Sequence, residues 1–109
     1  AAQSPQTAAF AAAFAARDSL GLLQVLAPME KWKRDLLISE LAAWRQLLEE
    51  ALVCRSGGIA LGTAARELAS QRPASELMAA ISQLQKVIEY AQGNVSPAAI
   101  CGHLEWSLR

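Results

Sequence analysis

The sequence predicts an all-α protein, a bundle of five to six helices with one long central helix. Alanine is abundant, glycine is rare, and Leu, Glu, Gln and Arg are frequent, a composition that favours helix. β-branched residues are sparse and never alternate with polar ones over a useful length, so strands are not indicated. Apolar residues recur instead at spacings of three and four, the period of an amphipathic helix.

The first helix is predicted over residues 7–16, after Ser4 and Pro5. Residues 1–6 are expected to form a disordered lead-in, and residues 7–109 a single helical domain. The chain does not start with methionine, which suggests a fragment of a longer protein.

A short second helix is predicted over residues 20–27. Asp18 or Ser19 is suited to cap its start, and Pro28 is expected to end it. Its predicted buried side chains are Leu22, Leu23, Val25 and Leu26.

Residues 30–56 form the longest helix candidate, about 40 Å at 1.5 Å per residue. Its apolar face is broad enough for a central helix that touches several others. Glu30 with Arg34, and Arg45 with Glu49, have the i,i+4 spacing of ion pairs on the wetter side. The apolar face comprises Leu37, Leu41, Trp44, Leu48 and Leu52, widened by Leu36, Ala43, Leu47 and Ala51.

The second half of the chain predicts three further helices. Thr63 is suited to cap a short helix over residues 64–71, and a longer one covers residues 74–92 and ends at Gly93. The longer helix has apolar residues at spacings of four, three, four and three: Leu77, Ile81, Leu84, Ile88 and Ala91.

Ser96 as N-cap and Pro97 at the first helical position are a strong start signal for the last helix. Its buried row is Ile100, Leu104 and Leu108, with Trp106 off that row.

Charge and hydropathy exclude several functions. Ten basic and ten acidic residues give a formal net charge of zero, which argues against a principal nucleic-acid binder. No apolar run reaches the roughly 18 residues of a membrane span. Cys54 and Cys101 are expected to be buried apolar residues in a cytoplasmic protein, with a disulfide or a reactive thiol as alternatives.

No catalytic, cofactor-binding or metal-binding residue is predicted. Gly57 and Gly58 lack the lysine and preceding strand of a phosphate-binding loop and are expected to end a helix. His103, the only histidine, lies about 200° around its helix from Cys101, so the two cannot form a dyad. The remaining carboxylates of interest are expected on solvated helix faces: Glu40, Glu67, Glu76 and Glu89.

Three tryptophans are many for this length. Trp44 lies within the apolar row of the longest helix and is expected in the core. Trp32 and Trp106 lie near helix ends, where they suit the edge of a core or an interface with another chain.

Three segments together resemble the C-terminal domain of the bacterial DNA polymerase III delta-prime subunit, part of the clamp loader. The first is "AAWRQLLEEALVCRSG" at 42–57, within the longest helix. The second is "LMAAISQLQKVIEYAQGNVSP" at 77–97, and the third is the terminal "AAICGHLEWSLR".

The resemblance implies a collar domain, the C-terminal fragment of a longer AAA+ subunit whose N-terminal module is catalytically degenerate. Such a domain is non-catalytic, binds no cofactor, and joins the gamma/tau and delta subunits in the ring that loads the sliding clamp. It implies no membrane, no small-molecule substrate and at most indirect contact with DNA. The residues expected at the interface are Trp32, Trp106 and Arg109. The alternative is a stand-alone helical bundle that binds a small apolar ligand or a partner helix.

Overall fold

The computed structural model describes residues 4–58 and 62–108. Across these residues the chain forms six α-helices and no strand, which confirms the predicted all-α bundle with one long helix. The Cα radius of gyration is 13.0 Å. The helices are α1 (Pro5–Ala15), α2 (Ser19–Met29), α3 (Arg34–Arg55), α4 (Thr63–Gln71), α5 (Ala74–Gln92) and α6 (Pro97–Ser107).

The longest helix, α3, lies at the centre and packs against α1, α4 and α5. Trp44, in the middle of α3, is completely buried, as predicted. Its ring stacks on that of Phe10 from α1, with centroids 4.2 Å apart and planes 4° apart. Phe14 extends the stack, 5.5 Å from Phe10. Aromatic packing therefore fixes α1 across the central helix.

The predicted apolar rows mark the core with two exceptions. Leu36 and Leu23 are wrong predictions, exposed by 59% and 40% respectively. Each is next in sequence to a buried leucine, and a step of one residue turns a side chain by about 100°. Leu52, Ala43 and Ile81 are only partly buried. The confirmed members of the four predicted sets include Leu22, Leu37, Leu41, Leu48, Leu77, Leu84, Ile100, Leu104 and Leu108.

The first helix begins at Pro5, two residues before the predicted position. Ser4 is its N-cap, because the Ser4 hydroxyl accepts a hydrogen bond from the Thr7 amide at 3.1 Å. Only residues 1–3 of the predicted lead-in are left outside α1 and its cap, and they lie outside the described residues.

The boundary between α2 and α3 differs from the prediction. Helix α2 continues through Pro28 to Met29, since a proline in the last turn removes only one hydrogen bond. Successive short-range turn bonds then interrupt the helix, and α3 starts at Arg34 rather than at residue 30. Glu30 and Arg34 consequently do not share a helix and do not pair.

Arg34 instead donates a hydrogen bond to the carbonyl oxygen of Val95, 3.2 Å away in the link between α5 and α6. The other predicted pair, Arg45 with Glu49, forms at 3.5 Å.

Helix ends in the second half follow the sequence closely. Gly93 ends α5, and the Ser96 hydroxyl caps α6 by accepting from the Ala99 amide at 3.2 Å, both as predicted. Gly62, not Thr63, is the N-cap of α4, and Thr63 is its first residue. The predicted loop at residues 59–61 lies outside the described residues. None of the described helices has the length and hydropathy needed to cross a membrane.

Candidate assembly surface

Helix α6 has one buried side and one exposed side. Its buried side consists of Ile100, Cys101 and Leu104, followed by Leu108 just beyond the helix. Trp106 lies about 200° around the helix from Leu104 and is 74% exposed. Ser96 and Pro97 set the start of the helix.

Helices α2 and α6 lie side by side and antiparallel. Leu108, at the end of α6, lines a cleft with Ser19 and Leu22 from the start of α2. At the other end of the pair, Glu30 follows α2 and lies close enough to Cys101 to affect its thiol.

The flank of α2 that borders α6 carries exposed leucines. A Cβ atom at Gly21 would lie 3.4 Å from the Cβ of Ala13, so the Gly21 side of α2 faces α1. Leu23 is about 200° around the helix from Gly21 and therefore points away from α1. The other helix that packs on α2 is α6. Leu20, 64% exposed, precedes it by one turn.

Helix α6 meets α5 on its opposite flank. The His103 imidazole Nε2 and the Gln83 Oε1 form a hydrogen bond of 3.1 Å between α6 and α5. Glu105, about 200° around α6 from His103, is therefore on the flank next to α2. Between these flanks the outer side of α6 carries the small residues Ala98, Ala99 and Gly102.

These flanks form one exposed, mostly apolar face, which we call the α2–α6 surface. No described atom other than the neighbouring residues and the helix backbone lies within 4 Å of a Cβ atom placed at Gly102, so this part of the face is open. The surface consists of Leu20, Leu23, Ala27, Ala98, Gly102 and Trp106.

The thiol of Cys101 lies just beneath this surface and is buried, as predicted. Burial is the main cause that raises its pKa to about 11, and the carboxylates of Glu30 and Glu105 raise it further. The thiol is therefore protonated at neutral pH and a poor nucleophile. Cys54 is half-buried, less than predicted, and both cysteines are free.

Of the other two predicted interface residues, the structure describes only Trp32. Trp32 is partly buried and packs against the core in the turn between α2 and α3. Trp32 was expected either at the edge of a core or at an interface, and its partial burial fits the edge of a core better. Arg109 lies outside the described residues.

Two polar clusters were not predicted from the sequence, since Glu40 and Glu76 were both expected on solvated faces. The Glu40 carboxylate is partly buried and accepts hydrogen bonds from Ser4 at 2.9 Å, from Thr7, and from the Trp44 indole at 2.7 Å. It therefore ties the start of α1 to α3.

The second cluster is built around Arg72, a buried residue between α4 and α5. Its guanidinium lies 3.9 Å from the centre of the Phe14 ring and donates to the Phe14 carbonyl at 2.9 Å. It also pairs with Glu76 at 2.9 Å, and Arg17 pairs with the same carboxylate at 2.7 Å. Arg72 with Glu76, and Glu40 with Trp44, are each four residues apart in the sequence. The other members of the two clusters are brought in only by tertiary packing: Phe14 and Arg17 in one, Ser4 and Thr7 in the other.

The described residues offer little for catalysis or ligand binding. They include no group of three His, Cys, Asp or Glu residues arranged to hold a metal ion. A cleft lined by Phe14, Leu22, Arg72 and Leu108 has a volume of about 10 Å³, at most enough for one water molecule. The arrangement of exposed apolar residues on the α2–α6 surface is better suited to apolar contact with another chain.

Comparison of the chain with family models, curated proteins and solved structures found no match. Support for a function therefore comes from the geometry of this surface and from the resemblance in the sequence.

Proposed function

We propose that the chain is a non-catalytic oligomerisation domain of a DNA polymerase III clamp-loader subunit of the delta-prime type. In this role it joins the gamma/tau and delta subunits in the collar that supports loading of the sliding clamp during DNA replication. It acts in the cytoplasm, contacts DNA at most indirectly, and binds no cofactor or small-molecule substrate.

The observation that carries the proposal is the exposure of Trp106. A large aromatic side chain in water loses the stabilisation that burial would give it, and aromatic residues are enriched at the energetic centres of interfaces. The large apolar residues on the other side of α6 are almost fully buried. The helix therefore completes its own core and still presents an aromatic side chain outward.

The fold supports the same role. A collar domain has to be self-contained, because each subunit also carries its own N-terminal module. Here one long helix, α3, organises the core, and α6 covers it beside α2 and α5. The six-helix bundle agrees with the architecture that the resemblance implies.

The alternative, a stand-alone bundle that binds a small apolar ligand, needs an internal pocket. Ligand pockets have volumes of roughly 300–1,000 Å³, whereas the cleft beside Leu108 has about 10 Å³. Binding of one partner helix, the other half of the alternative, would use the same exposed face of α6. Only the collar function predicts assembly with clamp-loader subunits, so an assembly assay distinguishes it from binding of a single partner helix.

The test is co-expression of the parent protein with gamma/tau and delta subunits, followed by size-exclusion chromatography. The reading frame upstream of Ala1 is expected to encode an AAA+ module. Trp106→Ala is expected to weaken assembly by about 2 kcal/mol, the size of an aromatic hot spot. The free energy of unfolding of the isolated domain is expected to change by less than about 0.5 kcal/mol, because the side chain is largely exposed.

Met78→Ala is the matched control, because Met78 is an exposed apolar residue on α5, away from the outer face of α6. It is expected to leave assembly unchanged. The proposal fails if the unsubstituted protein does not assemble, or if Trp106→Ala lowers stability while assembly is retained.

A further inference from the structure

We infer that the α2–α6 surface binds an amphipathic helix whose apolar face is bordered by lysine or arginine. This inference rests on the proposed function, because it names the chemistry of the partner element that the assembly surface accepts.

The shape of the surface suits a helix. Two antiparallel neighbours, α2 and α6, leave a shallow furrow between them, and a third helix packs into such a furrow at an interaxial distance of about 8–10 Å. Exposed residues border the furrow on both helices, Leu23 and Ala27 on α2 and Ala98 and Trp106 on α6. A pair of helices that presents apolar side chains to a third helix is the arrangement that helix-in-groove recognition uses.

Gly102 allows a close approach at the centre of α6. Glycine inside a helix costs roughly 0.5–1 kcal/mol relative to alanine. Its backbone here is ordinary helix, so no positive φ requires a glycine. No described atom occupies the space beside it that a side chain would fill. A partner helix that packs closely on α6 at this point would use that space.

Two carboxylates, those of Glu30 and Glu105, lie near Cys101 at the junction of α2 and α6. Neither carboxylate takes part in the ion pairs found among the described residues, which involve Arg17, Arg45 and Arg72. The basic residues nearest in sequence to Glu30 lie in or beyond the turn after α2: Lys31, Lys33 and Arg34.

Charge complementarity therefore determines which side chains should border the apolar face of the partner helix. Basic side chains beside its apolar face would pair with Glu30 and Glu105, whereas acidic ones would be repelled. Since both carboxylates are near the surface, the pairing sets the preference between partners more than the total affinity.

The experiment uses the 109-residue chain and two synthetic helical peptides of about 18 residues, long enough to form helix on binding. The peptides share one leucine and alanine face and differ only in carrying lysine or glutamate at the flanking positions. Binding is followed by amide and indole chemical shifts of the isotope-labelled protein. The lysine peptide is expected to shift signals of Leu23, Gly102 and Trp106, and the glutamate peptide to bind roughly tenfold more weakly.

A charge reversal provides the second arm. The double variant Glu30→Lys with Glu105→Lys is expected to reverse the preference between the peptides, and circular dichroism checks that it is folded. The control is Glu67→Lys, on the exposed side of α4, which is expected to keep the original preference. The inference is overturned if neither peptide binds, if both bind equally, or if the shifts map elsewhere on the bundle.

Failure here is distinguishable from failure of the proposed function. If the chain assembles with clamp-loader subunits but does not discriminate between the peptides, only the partner chemistry is wrong. If it discriminates between the peptides but does not assemble, the surface binds a basic helix and the clamp-loader role is wrong.

Discussion

At the scale of single residues, Arg72 is notable because its charged side chain is buried. It is 4% exposed, and burying a guanidinium is costly unless its charge and its donors find partners. The Phe14 ring, the Phe14 carbonyl and the Glu76 carboxylate supply them from three directions. Arg72 therefore connects the end of α1 with the start of α5.

Replacing Arg72 by methionine keeps an unbranched apolar stem against Phe14 but removes the charge and its donors. The free energy of unfolding is expected to fall by about 2 kcal/mol, because the buried Phe14 carbonyl loses its charged donor. Urea denaturation followed by circular dichroism measures this loss. Arg66→Met on the exposed side of α4 is the control, expected to change stability by less than about 0.5 kcal/mol. An equal effect of both substitutions would contradict the role given to Arg72.

The same cluster makes stability depend on pH. The hydrogen bond from Arg72 is the largest cause that lowers the pKa of Glu76 below its usual 4.5, and Arg17 lowers it further. Because the folded state favours the carboxylate, its stabilising contribution is present above about pH 4.5 and is lost as the pH falls through the lower folded pKa.

Glu76→Gln is therefore expected to reduce stability at neutral pH and to converge with the unsubstituted protein once the pH falls below the lowered folded pKa of Glu76. Thermal melts at a series of pH values test this expectation. In an Arg72→Met background the effect of Glu76→Gln should shrink at every pH. A difference that stays constant from neutral to acidic pH would show that the ion pairs do not stabilise the fold.

At the scale of helices, local chemistry determines the ends of α6 and packing determines those of α3. Ser96 and Pro97 carry their start signal within two residues, and α6 begins where they predict. The turn before α3 contains neither glycine nor proline after Pro28 to mark it. There the chain leaves the helix where Trp32 packs against the core.

Ser96→Ala tests the cap on α6. It is expected to lower the free energy of unfolding by about 1 kcal/mol, because the Ala99 amide loses its acceptor. Chemical denaturation measures the change, and Ser82→Ala, on the exposed side of α5, serves as the matched control. Since alanine favours helix at an exposed interior position, that control is expected to be neutral or slightly stabilising. A destabilisation no larger than the control's would mean that α6 is held by packing alone.

The periodicity of the sequence accounts for much of the fold and for part of the candidate site. It identifies the core row of α3, the two faces of α5, and the outward direction of Trp106, because these follow from rotation about one helix. The exposure of Leu23 could not be predicted, since the run of apolar residues in α2 is compatible with more than one buried face. The proximity of α2 to α6 and the contact of Arg72 with Phe14 depend on residues distant in sequence, which no local pattern reports. The pair of Arg72 with Glu76, in contrast, has the i,i+4 spacing of a local ion pair.

At the scale of the whole molecule, the bundle combines a filled interior with an apolar exterior face. The core rows leave no cleft of ligand size beside Leu108, whereas Leu20, Leu23 and Trp106 remain in contact with solvent. This exposed apolar face is the feature on which we base the proposal of association with another chain. The clamp-loader proposal and the basic-helix inference both place that association on α2 and α6, and their experiments read assembly and charge preference separately.

The neighbourhood of α2 and α6 also has a consequence for biosynthesis. Leu22 and Leu26 are translated before α6, the helix that shields this side of them. Until α6 has been synthesised, a nascent chain exposes these apolar side chains, which is a condition that favours binding by chaperones. Pausing translation just before Ser96 would hold the polypeptide in that vulnerable form.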